Sequence, residues 1–143
     1  MALNPADLFE PGSPLGRRLA DSRDPVFDAR RLLAGLSEAE KVQTLNAHPR
    51  IGEQRNPMSA SSRAEQGEDD SPPELERLNL EYERRFGFRF VVFVSGRSKA
   101  EITEVLRQRL QRSRADELKE GLAAIVDIAA DRRRRLEAQP DDR

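Results

Sequence analysis

Along this chain apolar residues fall at helical intervals, and polar caps mark where those intervals begin. Asn4-Pro5, Ser13-Pro14, Asp24-Pro25 and Ser71-Pro72 each set a capping side chain before a proline, the residue best suited to a first helical position. Ser13-Pro14 predicts a short helix with Leu15 and Leu19 on one face. Asp24-Pro25 predicts another, carrying Phe27, Leu32 and Leu33 and stopped by Gly35. Ser37-Glu38-Ala39-Glu40 and Ser98-Lys99-Ala100-Glu101 read as capping boxes, the first followed by Val42 and Leu45, the second by Ile102, Val105, Leu106 and Leu110. Leu75, Leu78 and Tyr82 predict a helix from Pro73 to Arg85, which Gly87 is placed to end, and a last, longest helix is predicted from about Ala115 to Ala138.

Between these helices runs Phe88-Arg89-Phe90-Val91-Val92-Phe93-Val94, a strand by composition. No second strand is available to pair with it. It therefore reads as an extended segment crossing the interior, whose backbone groups must find partners other than a sheet. The stretch 55–71, rich in Ser, Pro, Glu and Asp, reads as loop with at most one short helix. The expectation is an all-α, single-domain, compact bundle of short and medium helices over residues 1–143, with one buried extended segment at about 88–95.

Composition narrows the chemistry. At 143 residues one core is expected, large enough for an interior pocket. The absence of cysteine excludes disulfides, thiolate metal sites and a Cys nucleophile, and with a single histidine a His-based metal site would need carboxylates for its other ligands. Charged residues make up 36% of the chain but balance to a formal −1, which argues against a nucleic-acid binder. The N-terminal MALNPADLFEPG lacks the features of a signal peptide, and no apolar run approaches membrane-spanning length. A cytoplasmic protein is the expectation. Mean hydropathy of −0.77 would suit a disordered chain, but the periodic placement of the apolar residues outweighs that average.

His48 sits just past a helix end and before Pro49, which bars the helix from continuing and holds the imidazole on a rigid turn. Such a residue is either a satisfied helix-terminal histidine or a general acid/base. Ser62-Arg63-Ala64-Glu65-Gln66 is either a plain first helical turn with acids placed for the dipole, or a stretch in which Glu65 and Gln66 face a ligand, Gln66 offering donor and acceptor to an amide or ureido group. In the last helix Leu118, Leu122, Ile125, Ala129 and Leu136 follow alternating steps of four and three, with position 132 in phase. Arg132 thus occupies an apolar phase and needs an anion, whereas Arg133 and Arg134 point elsewhere and Arg135 lies at the stripe's edge. The run from Arg132 to Arg135 also resembles a nucleic-acid patch, but no aromatic residues interleave it.

Four stretches in order, His48-Pro49-Arg50-Ile51-Gly52-Glu53, Ser62-Arg63-Ala64-Glu65-Gln66, Glu81 through Val92, and Gly96-Arg97-Ser98-Lys99-Ala100-Glu101-Ile102, resemble the successive motifs of the OHCU decarboxylases. These enzymes convert 2-oxo-4-hydroxy-4-carboxy-5-ureidoimidazoline to (S)-allantoin in urate breakdown. The resemblance implies an all-α homodimer without metal or other cofactor, acting on a small ureidoimidazoline and not on nucleic acid or membrane. It implies His48, Glu65 and Arg132 as catalytic residues. Pro49, Ser62, Gln66 and the segment Phe90, Val91, Val92, Phe93 and Val94 match substrate-contacting positions, the last mainly through backbone groups. The sequence departs from the family pattern at Arg89, where proline is usual, at Ser95, in the short Gly67-Glu68-Asp69-Asp70 stretch, and in an abbreviated N-terminal helix. The competing expectation is a catalytically silent helical module that binds a ureide or a protein.

Overall fold

The structure, a computed structural model, describes residues 4–50 and 73–138. Six α-helices stand among the described residues: α1 (Pro14–Arg18), α2 (Pro25–Leu32), α3 (Glu38–Asn46), α4 (Pro73–Phe86), α5 (Lys99–Arg109) and α6 (Arg114–Ala138). Single 3-10 turns lie at Pro5–Asp7 and Leu33–Gly35. The starts follow from local side-chain chemistry. Ser13 Oγ accepts from Gly16 N at 2.9 Å and Asp24 Oδ1 from Phe27 N at 3.3 Å, so each cap satisfies an amide that the first turn leaves without an intrahelical partner. Both capping boxes close reciprocally, Ser37 with Glu40 and Ser98 with Glu101.

One expectation needs correcting. The apolar face of α2 is not built on Phe27, which is 64% exposed, but on Val26 and Ala29, with Leu32 and Leu33 only partly buried. A helix of eight residues admits two stripes of similar apolar content, and contact with α6 selects the one through 26 and 29.

The long α6 is the central element, packed against α2 and α3, while α4 pairs with α5 and α1 with α3. Gly121 lets α3 and α6 close together, because a Cβ there would lie 2.9 Å from Leu45 Cδ2. That approach sets the end of α3 beside the later turns of α6. Leu118, Leu122, Ile125 and Ala129 are buried as their spacing predicts, and Arg132 is buried with them.

The segment from Phe88 to Val94 is extended and unpaired by any strand among the described residues. Arginine side chains take up several of its carbonyls. Arg109 NH1 donates to Val91 O at 2.9 Å, and Arg97 donates through NH2 to Phe93 O at 2.5 Å and through Nε to Val94 O at 3.1 Å. A buried carbonyl left without a donor would cost about 1–3 kcal/mol, so these guanidinium groups do for the segment what a neighbouring strand does in a sheet. Its aromatic residues close the core: Tyr82 lies 4.6 Å from Phe86 and 5.3 Å from Phe90 between ring centroids, and the Arg109 guanidinium sits 4.7 Å above Phe90.

Beneath this cluster lies a buried ion pair. Glu117 on α6 is fully enclosed, and its Oε1 accepts from Tyr82 Oη at 2.6 Å and from Arg109 Nε at 2.7 Å. Burial, and then the hydrogen bond to Glu117, push the Tyr82 hydroxyl well above its ordinary range. Glu117 and Arg109 each carry the signal that marks Arg132, a charge in an apolar phase. Arg109 follows Ile102 by seven residues and Leu106 by three, and Glu117 precedes Gly121 by four.

Candidate active site

The His48 turn begins where α3 stops. His48 N donates to Leu45 O at 3.1 Å, a last helical-type bond, and Pro49 ends the run. The ring then folds over its own turn, with Nδ1 3.0 Å from the Pro49 carbonyl. A carbonyl can only accept, so Nδ1 carries the hydrogen and Nε2 keeps its lone pair. Nε2 is buried, although the residue as a whole is partly exposed, and it has no hydrogen-bond partner among the described residues. Its lone pair is thus available to a group that enters beside it.

Across the gap stands Arg132, 6% exposed, whose NH1 donates to Leu8 O at 3.0 Å. Together His48 and Arg132 line a cleft walled by Leu8, Phe9 and Glu10 from the N-terminal segment, Ser13, Thr44 at the end of α3, and Ile125 and Ile128 on α6. As described, the cleft is a narrow cavity of only about 10 Å³. Ligand pockets commonly hold roughly 300–1,000 Å³, so admitting a ring-sized ligand requires this cleft to widen.

The electrostatics of the cleft favour a neutral imidazole. Burial first, then the positive charge of Arg132, lower the His48 pKa to about 4; the Pro49 hydrogen bond opposes this, and Arg89 adds to it. At neutral pH Nε2 is therefore a free base beside a fixed cation, an arrangement that can bind an anion at Arg132 and accept a proton at Nε2.

A stability signature follows. Unfolded, the histidine binds its proton near pH 6.5; folded, only near pH 4. Between those values the unfolded state holds more protons, so the His48 contribution is complete above pH 6.5 and is lost as pH falls towards 4. At about 1.4 kcal/mol per unit, wild type should lose about 2 kcal/mol more than His48→Asn between about pH 7 and pH 5. Urea unfolding at the two pH values measures this, and equal losses in both proteins would show that the imidazole titrates normally.

The other expected site residues divide. Ser62, Glu65 and Gln66 lie outside the described residues. Pro49 supplies the carbonyl that orients the imidazole. Phe90, Val91, Val92, Phe93 and Val94 do not line the cleft, and the carbonyls of Val91, Phe93 and Val94 already accept from arginines. Glu10 and Thr44, which do line it, were not anticipated. Phe9 and Glu10 belong to an irregular stretch without periodicity, brought to the site by tertiary contacts, among them the bond from Arg132 to Leu8 O and the burial of Leu8 and Phe9 in the core. Among the described residues no group of three or more His, Asp or Glu side chains is gathered to hold a metal ion, and no helix is long and apolar enough to cross a membrane.

Comparison with known proteins agrees on one family. The sequence model of the family described as OHCU decarboxylase matches residues 15–134. The chain is 31% identical over 134 residues to the uric acid degradation bifunctional protein PucL of Bacillus subtilis, covering 85% of this chain and 27% of that protein. It is 34% identical over 101 residues to the 2-oxo-4-hydroxy-4-carboxy-5-ureidoimidazoline decarboxylase of Halalkalicoccus jeotgali, covering 66% and 57%, and 34% identical over 107 residues to that of Haloferax volcanii, covering 70% and 63%. The chain thus spans less than two thirds of the length of these relatives. A crystal structure of OHCU decarboxylase in the presence of (S)-allantoin superimposes with a TM-score of 0.68 at 22% identity, over 89% of this chain and 92% of that one, which establishes the shared all-helical fold.

Proposed function

The chain belongs to the OHCU decarboxylase family, and from that premise we propose that it decarboxylates 2-oxo-4-hydroxy-4-carboxy-5-ureidoimidazoline to (S)-allantoin. The observation that carries the reading is the pairing, in one cleft, of an imidazole nitrogen without a hydrogen-bond partner among the described residues and a buried arginine. The reaction asks for both groups. Arg132, planar and always charged, receives the substrate carboxylate or its neighbouring oxygens. When the carbon–carboxylate bond breaks, its electron pair forms a double bond to the ureido-bearing carbon, and the adjoining ring nitrogen takes up a proton. The hydroxyl then loses its proton to become the ring carbonyl, and the ureido-bearing carbon gains one. One proton is consumed overall and CO2 leaves.

His48 fits the second stage. With Nε2 unprotonated, it can take the hydroxyl proton and return a proton to one face of the carbon, which makes the product a single enantiomer. A positioned acid/base of this kind is worth about 10²–10⁴-fold in rate. Glu65 belongs to the proposal through the family motif alone, as the group that would orient the hydroxyl and ureido functions.

The test generates the unstable substrate from urate with the upstream enzymes and follows (S)-allantoin by circular dichroism. A faster, enantioselective signal with this protein supports the reading, and appearance at the spontaneous rate overturns it.

The helical phase supplies a second test. Arg132 and Arg134 are two residues, or about 200°, apart on α6. Arg134 is exposed and donates to Asp131 at 2.8 Å, whereas Arg132 faces the cleft. Arg132→Gln should weaken substrate recognition by about 2–5 kcal/mol in kcat/KM. Arg134→Gln should stay within about 0.5 kcal/mol of wild type in stability and close to it in rate. Equal losses from both would remove Arg132 from the role of anion anchor.

A further inference from the structure

The turn that carries His48 is held from outside the cleft as well as from within it. Asn46 Oδ1, at the end of α3, accepts from the backbone N–H of Arg89 at 2.9 Å. Arg89 NH1 donates to the His48 carbonyl at 2.8 Å. Two residues further on, Arg50 grips both carboxylate oxygens of Glu83 on α4, Nε at 2.6 Å and NH2 at 2.9 Å. Asn46, Arg50, Glu83 and Arg89 line a separate open cleft of about 260 Å³, and Arg89 is not part of the wall around Arg132.

We propose that Arg89 is a positioning residue for His48, fixing the aim and tautomer of the imidazole by holding the His48–Pro49 peptide, with Asn46 and the Arg50–Glu83 pair bracing the same turn. The proposal rests on the reading of His48 as the proton carrier. The chain of constraint is short. The guanidinium fixes the carbonyl of the His48–Pro49 peptide and the proline ring fixes the next φ, while the Arg50–Glu83 pair, one residue on, restrains ψ of Pro49, the torsion that aims its carbonyl. That carbonyl receives the Nδ1 hydrogen and thereby decides that Nε2 is the bare nitrogen. A cation is also the favourable partner for carbonyls at a helix C-terminus, where α3 ends. Without the clamp the peptide could rotate, the Nδ1 bond would loosen, and the two tautomers would share the population.

The charged groups around the imidazole come from several elements. Arg132 faces it from α6, Glu10 lines the cleft from the N-terminal segment, and Arg89 approaches from the extended segment, while Arg50 is paired with Glu83 beside the turn. Removing the Arg89 charge therefore leaves burial and Arg132, the two larger causes of the low His48 pKa, in place, so the variant tests the aim of the imidazole more than its charge.

His48 is the only histidine of the chain, so its imidazole resonances can be followed by nitrogen and proton NMR without ambiguity. In Arg89→Met, which keeps the aliphatic stem, the nitrogen shifts of the neutral imidazole should move from one tautomer towards a mixture. Turnover should fall about tenfold with KM within about threefold, as expected when a reacting group is misaimed and binding is retained. Arg89→Lys, which restores the charge and one donor, should recover much of the loss. A folded Arg89→Met with wild-type tautomer and turnover overturns the proposal. Should Arg89→Met not fold, Arg89→Gln gives the same readouts, and failure of both to fold would make Arg89 a structural residue and equally overturn it. If wild type makes no (S)-allantoin the decarboxylase reading fails, yet the tautomer still decides whether Arg89 positions His48.

Discussion

Replacing His48 by Asn should lower turnover by about two orders of magnitude or more while leaving the fold intact. The amide of Asn can still donate a hydrogen bond within the turn, but it cannot exchange a proton near neutral pH. Little packing is lost, since the residue lies on a partly exposed turn beyond α3. Nothing is orphaned either, because Nε2 has no partner among the described residues to be left behind. The substitution in fact removes a buried nitrogen whose protonation opposes folding, so below about pH 6 the variant should be relatively more stable than wild type. Turnover is therefore lost while the acid sensitivity of the fold is reduced, a combination that a general loss of structure cannot produce. Steady-state rates beside urea titrations measure both, and unchanged turnover in a folded variant would return His48 to the role of a satisfied helix-terminal residue.

The parts of this protein that could be read from its sequence are those fixed by neighbours along the chain. Helix starts at Ser13, Asp24, Ser37 and Ser98 are decisions made within four residues, and each cap forms the bond its spacing predicts. The burial of Arg132 was readable for the same reason, since its phase is set by residues on its own helix. Features that depend on distant contacts were not. The exposed Phe27 and buried Val26 of α2 are chosen by the approach of α6. The donors that complete the 88–94 segment come from Arg97 and Arg109, residues whose side-chain directions no local pattern discloses. The cleft shows both cases in one place. His48 and Arg132 were marked by a proline and by a helical phase, whereas the wall at Leu8 lies 124 residues from the arginine that holds it.

The largest stability loss should come from Glu117, which touches no part of the cleft. Its carboxylate is fully buried, accepts from Tyr82 and Arg109, and lies 3.3 Å from Arg112 NH1. Glu117→Leu puts an apolar side chain of similar size in its place but leaves the Arg109 guanidinium buried without its counter-charge and the Tyr82 hydroxyl without an acceptor. Breaking one side of such a pair typically costs about 3–5 kcal/mol, more than the interaction itself contributes, because the orphaned charge stays desolvated. The damage should also spread, since Arg109 holds the Val91 carbonyl and lies over the Phe90 ring. Removing the charges together separates desolvation from packing. In the triple variant Glu117→Leu, Arg109→Met, Tyr82→Phe the buried charge and hydroxyl are gone, and the remaining penalty is chiefly the Val91 carbonyl that Arg109 would have satisfied, about 1–3 kcal/mol. The triple variant should therefore be more stable than Glu117→Leu alone, an ordering that urea unfolding resolves directly. If Glu117→Leu cost under about 1 kcal/mol, the pair would be hydrated in solution and would not be what holds the extended segment against α6.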